Sequence, residues 1–231
     1  MLICIIYWLM SKKRRMMNNS PTVGERQIRF AKHPIILIII FMIILLFSMA
    51  TGKTQNLNLN YKIVKDGDEI GWLTLDKTSS GGSTKFLLVS AIKTRVIFNI
   101  AVTSRESSVF ENGKLVFSSQ YRKTNGTVKL DKMTRLNTDK YEVVEKNEAH
   151  QLPFHFIGTN LLSLYFNEPI DVNFVYCDNH EDFIPLIRTE DGGYKLKFPK
   201  GNSNTFYYQN GYCSVIKIDN TLYSAEIILK P

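Results

Sequence analysis

The chain has little of what announces a chemistry. It holds three cysteines and four histidines in 231 residues. No Gly-x-Ser-x-Gly elbow and no Gly-rich dinucleotide fingerprint occurs, which removes two common catalytic and cofactor frameworks. Thr51-Gly52-Lys53-Thr54 has the ending of a phosphate-binding loop, but Phe47 stands where that loop needs its first glycine. The histidines do not form a metal set. His33 lies near the N-terminus, and an odd spacing puts His150 and His155 on opposite faces of one strand. Cys177-Asp178-Asn179-His180-Glu181-Asp182 gathers the donor types of a zinc site. A run of that composition between two strands is also a solvated turn, and we read it so. The expectation is no metal, no cofactor and no enzymatic constellation.

Long apolar runs and one sign of charge are also scarce. Ile35 to Phe47 is an unbroken apolar run of 13 residues, short of the roughly 20 that span a bilayer. Residues 1–50 hold seven Lys/Arg but one acid, Glu25. Taking these from the chain's 29 basic and 21 acidic residues leaves 22 and 20 in 51–231, a charge of +2. The basic balance belongs to the leader, so nucleic acid is not an expected partner. Basic residues, an apolar core and Ser48-Met49-Ala50 form the pattern of a secretory signal peptide, with cleavage after Ala50. The alternative is an uncleaved inner-membrane anchor over 35–50 with the same topology. A start at Met16 or Met17 would give a conventional leader, which makes 1–15 an over-long start. Either way the expected location of 51–231 is exported, periplasmic or secreted, with the membrane touched only through the leader. Cys177 and Cys213 are the only cysteines of that part. An oxidising compartment leaves a disulfide between them open.

What is present is strand pattern. Tyr61, Ile63 and Lys65 alternate with Lys62 and Val64, and Val96, Phe98, Ile100 and Val102 share one face. Leu115, Phe117 and Tyr121 are assigned to one face, as are Tyr194, Leu196 and Phe198. Asn-Gly at 112–113, 125–126 and 210–211 and Asp-Gly at 66–67 and 191–192 supply turns. The Asn-Gly pairs suit type I′ hairpins. About ten to twelve strands fit into 60–229 at the spacing of a meander, sandwich or barrel. The organisation expected is a leader over 1–50, a linker over 51–59 and a single β-rich domain over 60–231.

Leu161 to Pro169, LLSLYFNEP, breaks the pattern. Leu161, Leu162, Leu164 and Tyr165 have helical spacing, Asn160 or Thr159 can cap, and Pro169 blocks continuation. A short apolar helix there either plugs a concave sheet face or forms a lid over a ligand cavity. The fold expected is all-β: a long antiparallel meander, curved or closed to a half-open barrel, with one short helix.

Tyr61-x-Ile63…Gly71-x-Leu73, Phe110-Glu111-Asn112-Gly113-Lys114-Leu115, Leu161 to Pro169, Tyr194-x-Leu196-x-Phe198-Pro199 and Tyr208-x-Asn210-Gly211 occur in this order. Together they resemble the domain of unknown function 6134 family, uncharacterised secreted proteins with no assigned activity. The fold is more distantly similar to periplasmic half-barrels of the lipoprotein-carrier type. That likeness implies a curved sheet over an apolar cavity closed by short helices. The functional expectation is an exported binding protein for a lipid, another apolar small molecule or an envelope protein. The alternative is a structural or interaction domain with a packed core and no ligand, and the third reading is an enzyme without a recognisable motif.

Overall fold

The structure is a computed structural model, and it describes residues 54–95, 99–221 and 223–231. The leader, its cleavage motif, and Val96 and Phe98 lie outside the described residues.

Fourteen strands follow one another. The first eight are β1 (Gln55–Lys65), β2 (Asp68–Ser80), β3 (Ser83–Arg95), β4 (Asn99–Glu111), β5 (Lys114–Thr124), β6 (Thr127–Asn137), β7 (Lys140–Glu145) and β8 (Glu148–Gln151). The 3-10 turn η1 (Leu161–Tyr165) comes next, then β9 (Phe174–Cys177), β10 (Asp182–Arg188) and β11 (Tyr194–Lys197). A second 3-10 turn, η2 (Pro199–Gly201), precedes β12 (Ser203–Gln209), β13 (Tyr212–Asn220) and β14 (Tyr223–Leu229). All pair antiparallel in one open sheet, ordered β8 to β1 and then β14 down to β9. Every neighbour is therefore a hairpin partner except β1 and β14, which join the two halves through Tyr61↔Leu229 and Ile63↔Ile227.

The expected meander is present, longer than ten to twelve strands. β1 begins inside the stretch assigned to a linker, because Asn56 to Asn60 alternates with Leu57 and Leu59 and pairs with Lys77 and Leu75 of β2. Asn is a poor strand residue, so propensity hides the alternation that pairing rewards. The Asn-Gly turns have the paired positive φ of type I′, as at Asn112 (49°) and Gly113 (78°). Lys146 (51°) and Asn147 (69°) make the same kind of turn without glycine, which is why the β7–β8 hairpin is illegible in sequence.

One face of the sheet is concave and carries the core. Leu59, Tyr61, Ile63, Leu73, Leu75, Phe86 and Leu88 are buried on β1 to β3, and Leu196, Phe206, Ile216 and Ile227 on the second half. Where β1, β2 and β3 pair side by side, Ile63 and Ile92 flank Gly71. A Cβ on Gly71 would lie 2.3 Å from the Ala91 carbonyl oxygen, so only glycine permits this close strand approach. β1 also bulges here, between Ile63 and Val64, which adds local twist.

Candidate functional site

η1 packs on the buried face of the sheet, against β3, β9 and β13. Its five residues form a 3-10 turn, and Asn160 caps it: Ser163 N donates to Asn160 Oδ1 at 3.3 Å. In a 3-10 turn i and i+3 stack over one another, so Leu161 lies over Leu164 and Leu162 over Tyr165. Leu162, Leu164 and Tyr165 are buried and Leu161 is half-buried. The Tyr165 ring meets Tyr61 of β1 edge-on at 5.5 Å, and Phe166 stacks on Phe86 of β3 at 5.2 Å. Tyr208 Oη of β12 donates to the Leu164 carbonyl at 2.8 Å. The segment is thus tied to both halves of the sheet.

Beside η1 lies a cavity of about 280 Å³, floored by Phe86, Phe110 and Leu164 and rimmed by Lys77, Ser163 and Glu168. The Lys77 ammonium stands 5.9 Å from the Phe166 ring centre. Its lining is mixed and open.

A second recess lies toward the other end of the concave face. It has about 260 Å³, walled by Ile63, Ile92, Ile100, Val102, Ile218 and Ala225. Its volume arises from short side chains: Ala225 faces Ile218, and Gly71 contributes none between Ile63 and Ile92. The polar groups on its lining are Lys65, Thr94 and the Tyr223 hydroxyl.

Between the two cavities the concave face turns polar. Glu106 of β4 opposes Gln120 of β5, which opposes Lys132 of β6, which opposes Glu145 of β7. One step along, Ser108, Ser118 and Thr134 form the next row. Lys132 and Gln120 are nearly inaccessible, and Ser108, Ser118 and Thr134 are buried. The turn from β9 to β10 packs on this patch. Ser118 Oγ donates to Asp178 Oδ1. Lys132 Nζ lies 2.6 Å from Glu181 Oε1 and 3.5 Å from Glu145 Oε2. His150 Nε2 of β8 lies 2.6 Å from Glu181 Oε2. Burial raises the Asp178 carboxyl from its ordinary 3.8 to about 6. Burial acts the same way on Glu181, but the hydrogen bonds from Lys132 and His150 outweigh it and hold that carboxyl below its ordinary range. The buried Ser108 Oγ and Gln120 Oε1 have no hydrogen-bond partner among the described residues.

This corrects two sequence readings. The Cys177–Asp182 run is a turn, but Asp178 is buried in it and Glu181 is held by the Lys132 ammonium and the His150 ring rather than solvated. Among the described residues no three His, Cys, Asp or Glu side chains are grouped to hold a metal ion. Leu115, Phe117 and Tyr121 do not share a face. A bulge at Val109/Phe110 resets the register, so Leu115 points inward and Ser118 and Gln120 follow it. The signal for the polar patch was therefore present in Ser118-x-Gln120-x-Arg122, one residue out of phase. Cys177 and Cys213 are both buried and free, on strands separated in the sheet by β10, β11 and β12. Burial pushes their thiols to about 11 and about 12.

A crystal structure of a β-barrel-like protein of the domain of unknown function DUF1849 from Brucella abortus has the same fold. The TM-score is 0.51 at 10% identity, over 78% of this chain and 97% of that one. No curated protein matches the sequence. The family model for the domain of unknown function DUF6134 matches residues 61–230, the whole sheet apart from the start of β1. The chain belongs to the DUF6134 family.

Proposed function

We propose that the protein is a non-enzymatic binding protein outside the cytoplasm, which takes the apolar part of a small molecule into the recess between β1, β3, β4, β13 and β14. The carrying observation is the recess itself: about 260 Å³ walled by aliphatic side chains. Small-molecule sites are concave, mostly apolar and about 300–1,000 Å³, so this one suits part of a chain or a small ring. The export assignment rests on the leader pattern.

The test is fluorescence titration with an apolar dye such as N-phenylnaphthylamine. Saturable binding in the native protein, lost in Ala225→Phe with an unchanged circular dichroism spectrum, is expected. Equal signals from both proteins would end the proposal.

The second reading is an interaction domain with no ligand. Its support is η1, which buries Leu162, Leu164, Tyr165 and the following Phe166 against the core face of the sheet. On that reading the Ala225→Phe protein is more stable than its parent, because the added ring fills a void rather than displacing a ligand.

A further inference from the structure

The recess is apolar, yet its described lining carries a positive charge. Among the described residues Lys65 is the one ionised side chain there, and it stands at the end of β1 where the chain turns into Asp66-Gly67. Its side chain is one-fifth exposed, while that of its ion-pair partner Asp66 is 78% exposed. The Lys65 stem therefore lies along the recess and the ammonium reaches the rim, as long basic side chains do on apolar surface. Asp66 approaches to 2.7 Å from the open turn. An adjacent, solvent-facing pair of this kind holds its partner weakly, so an incoming anion can replace it at little cost.

From this charge we infer the class of ligand, resting on the apolar-recess reading above: a single-chain amphiphile with an anionic head, its tail between Ile63, Ile92, Val102 and Ile218 and its head on Lys65. The aliphatic walls select a chain by burial of its methylene groups. The ammonium selects the head, since a charge-assisted hydrogen bond to a carboxylate or phosphate is about twice as strong as a neutral one. Among the described residues no carboxylate lines the recess to repel that head, and Asp66 is the acid paired with the cation. Along β5 from the polar patch toward the recess stands a further cation, Arg122. It is one register step from Val102, opposite Ser104, and is occupied by Glu106 at 3.6 Å. An anion placed there would meet the Glu106 carboxylate, so the head belongs at Lys65.

The experiment displaces N-phenylnaphthylamine from the purified full chain with decanoate, decanol and decyltrimethylammonium, using Ala225→Phe as the blank for binding elsewhere. Decanoate is expected to compete about tenfold better than decanol, and the cationic amphiphile worst. Lys65→Gln should bring decanoate down to decanol, while Arg122→Gln should leave the order and spacing unchanged. A second variant, Asp66→Asn, should tighten decanoate and leave decanol alone. Equal competition by all three overturns the anionic-head inference and leaves the apolar recess standing. Loss of the decanoate preference in Arg122→Gln instead of Lys65→Gln overturns the placement of the head. Failure of the dye itself to bind overturns both this inference and the reading it rests on. Decylphosphate beside decanoate separates phosphate from carboxylate heads, and either preference over decanol upholds the class.

Discussion

Lys132 Nζ on β6 stands 2.6 Å from Glu181 Oε1 in the turn between β9 and β10, and this pair ties together two sides of a sheet that no backbone ladder closes. The cation is the buried member and the two carboxylates on it are partly exposed. Lys132→Met should therefore cost less than breaking a fully buried pair, about 1–3 kcal/mol. Urea denaturation reads it. An unchanged midpoint would mean that the Lys132 pair adds nothing to what packing and the Ser118–Asp178 and His150–Glu181 hydrogen bonds already hold.

Asp178 gives the pH dependence a definite sign. Burial raises its carboxyl from 3.8 to about 6, so the folded state prefers the protonated form. Its contribution to stability is full below 3.8 and lost as pH rises through about 6. Glu181 works in the opposite direction: its lowered pKa stabilises the fold at neutral pH and that gain is lost in acid. Asp178→Asn keeps an acceptor for Ser118 Oγ and removes the ionisation. Its stability relative to the native chain should rise between about pH 4 and pH 7. A constant difference across that range would contradict the burial assigned to Asp178.

The η1 segment separates plug from lid. Leu162 and Leu164 are buried, and truncating a buried leucine costs about 2–5 kcal/mol. Leu162→Ala and Leu164→Ala should each lower the denaturation midpoint strongly, and Leu161→Ala less, because Leu161 is half-buried. A lid would give the reverse outcome, with little change in stability and a clear change in dye uptake.

Cys177 and Cys213 should behave as inert core thiols. Both are buried with raised pKa values of about 11 and about 12, so at about pH 8 little thiolate is available. Iodoacetamide should modify neither in the folded protein and both after denaturation without reductant, as counted by intact mass. Two unmodified cysteines after denaturation would establish a bridge.

How much was legible follows from which physics is local. Strand alternation and the Asn-Gly turns are local, so the antiparallel meander could be read from Tyr61-x-Ile63 and Asn112-Gly113 directly. The apolar break at Leu161 to Tyr165 and its Asn160 cap were legible for the same reason. Faces were legible only while the register held. One bulge at Val109/Phe110 turned Phe117 outward and Ser118 inward, and no pattern in β5 marks where that extra residue falls.

The sequence by itself determined the class of structure, because period-two burial and left-handed turn residues depend on neighbours a few positions away. The tertiary structure alone decided what the interior contains. Ser118 meets Asp178 across 60 residues, Lys132 meets Glu181 across 49, and Gly71 sits under the Ala91 carbonyl. These pairings depend on how far the sheet curls and where its bulges lie. That curvature sums small twists over fourteen strands, and it places Lys65 at the mouth of an aliphatic recess.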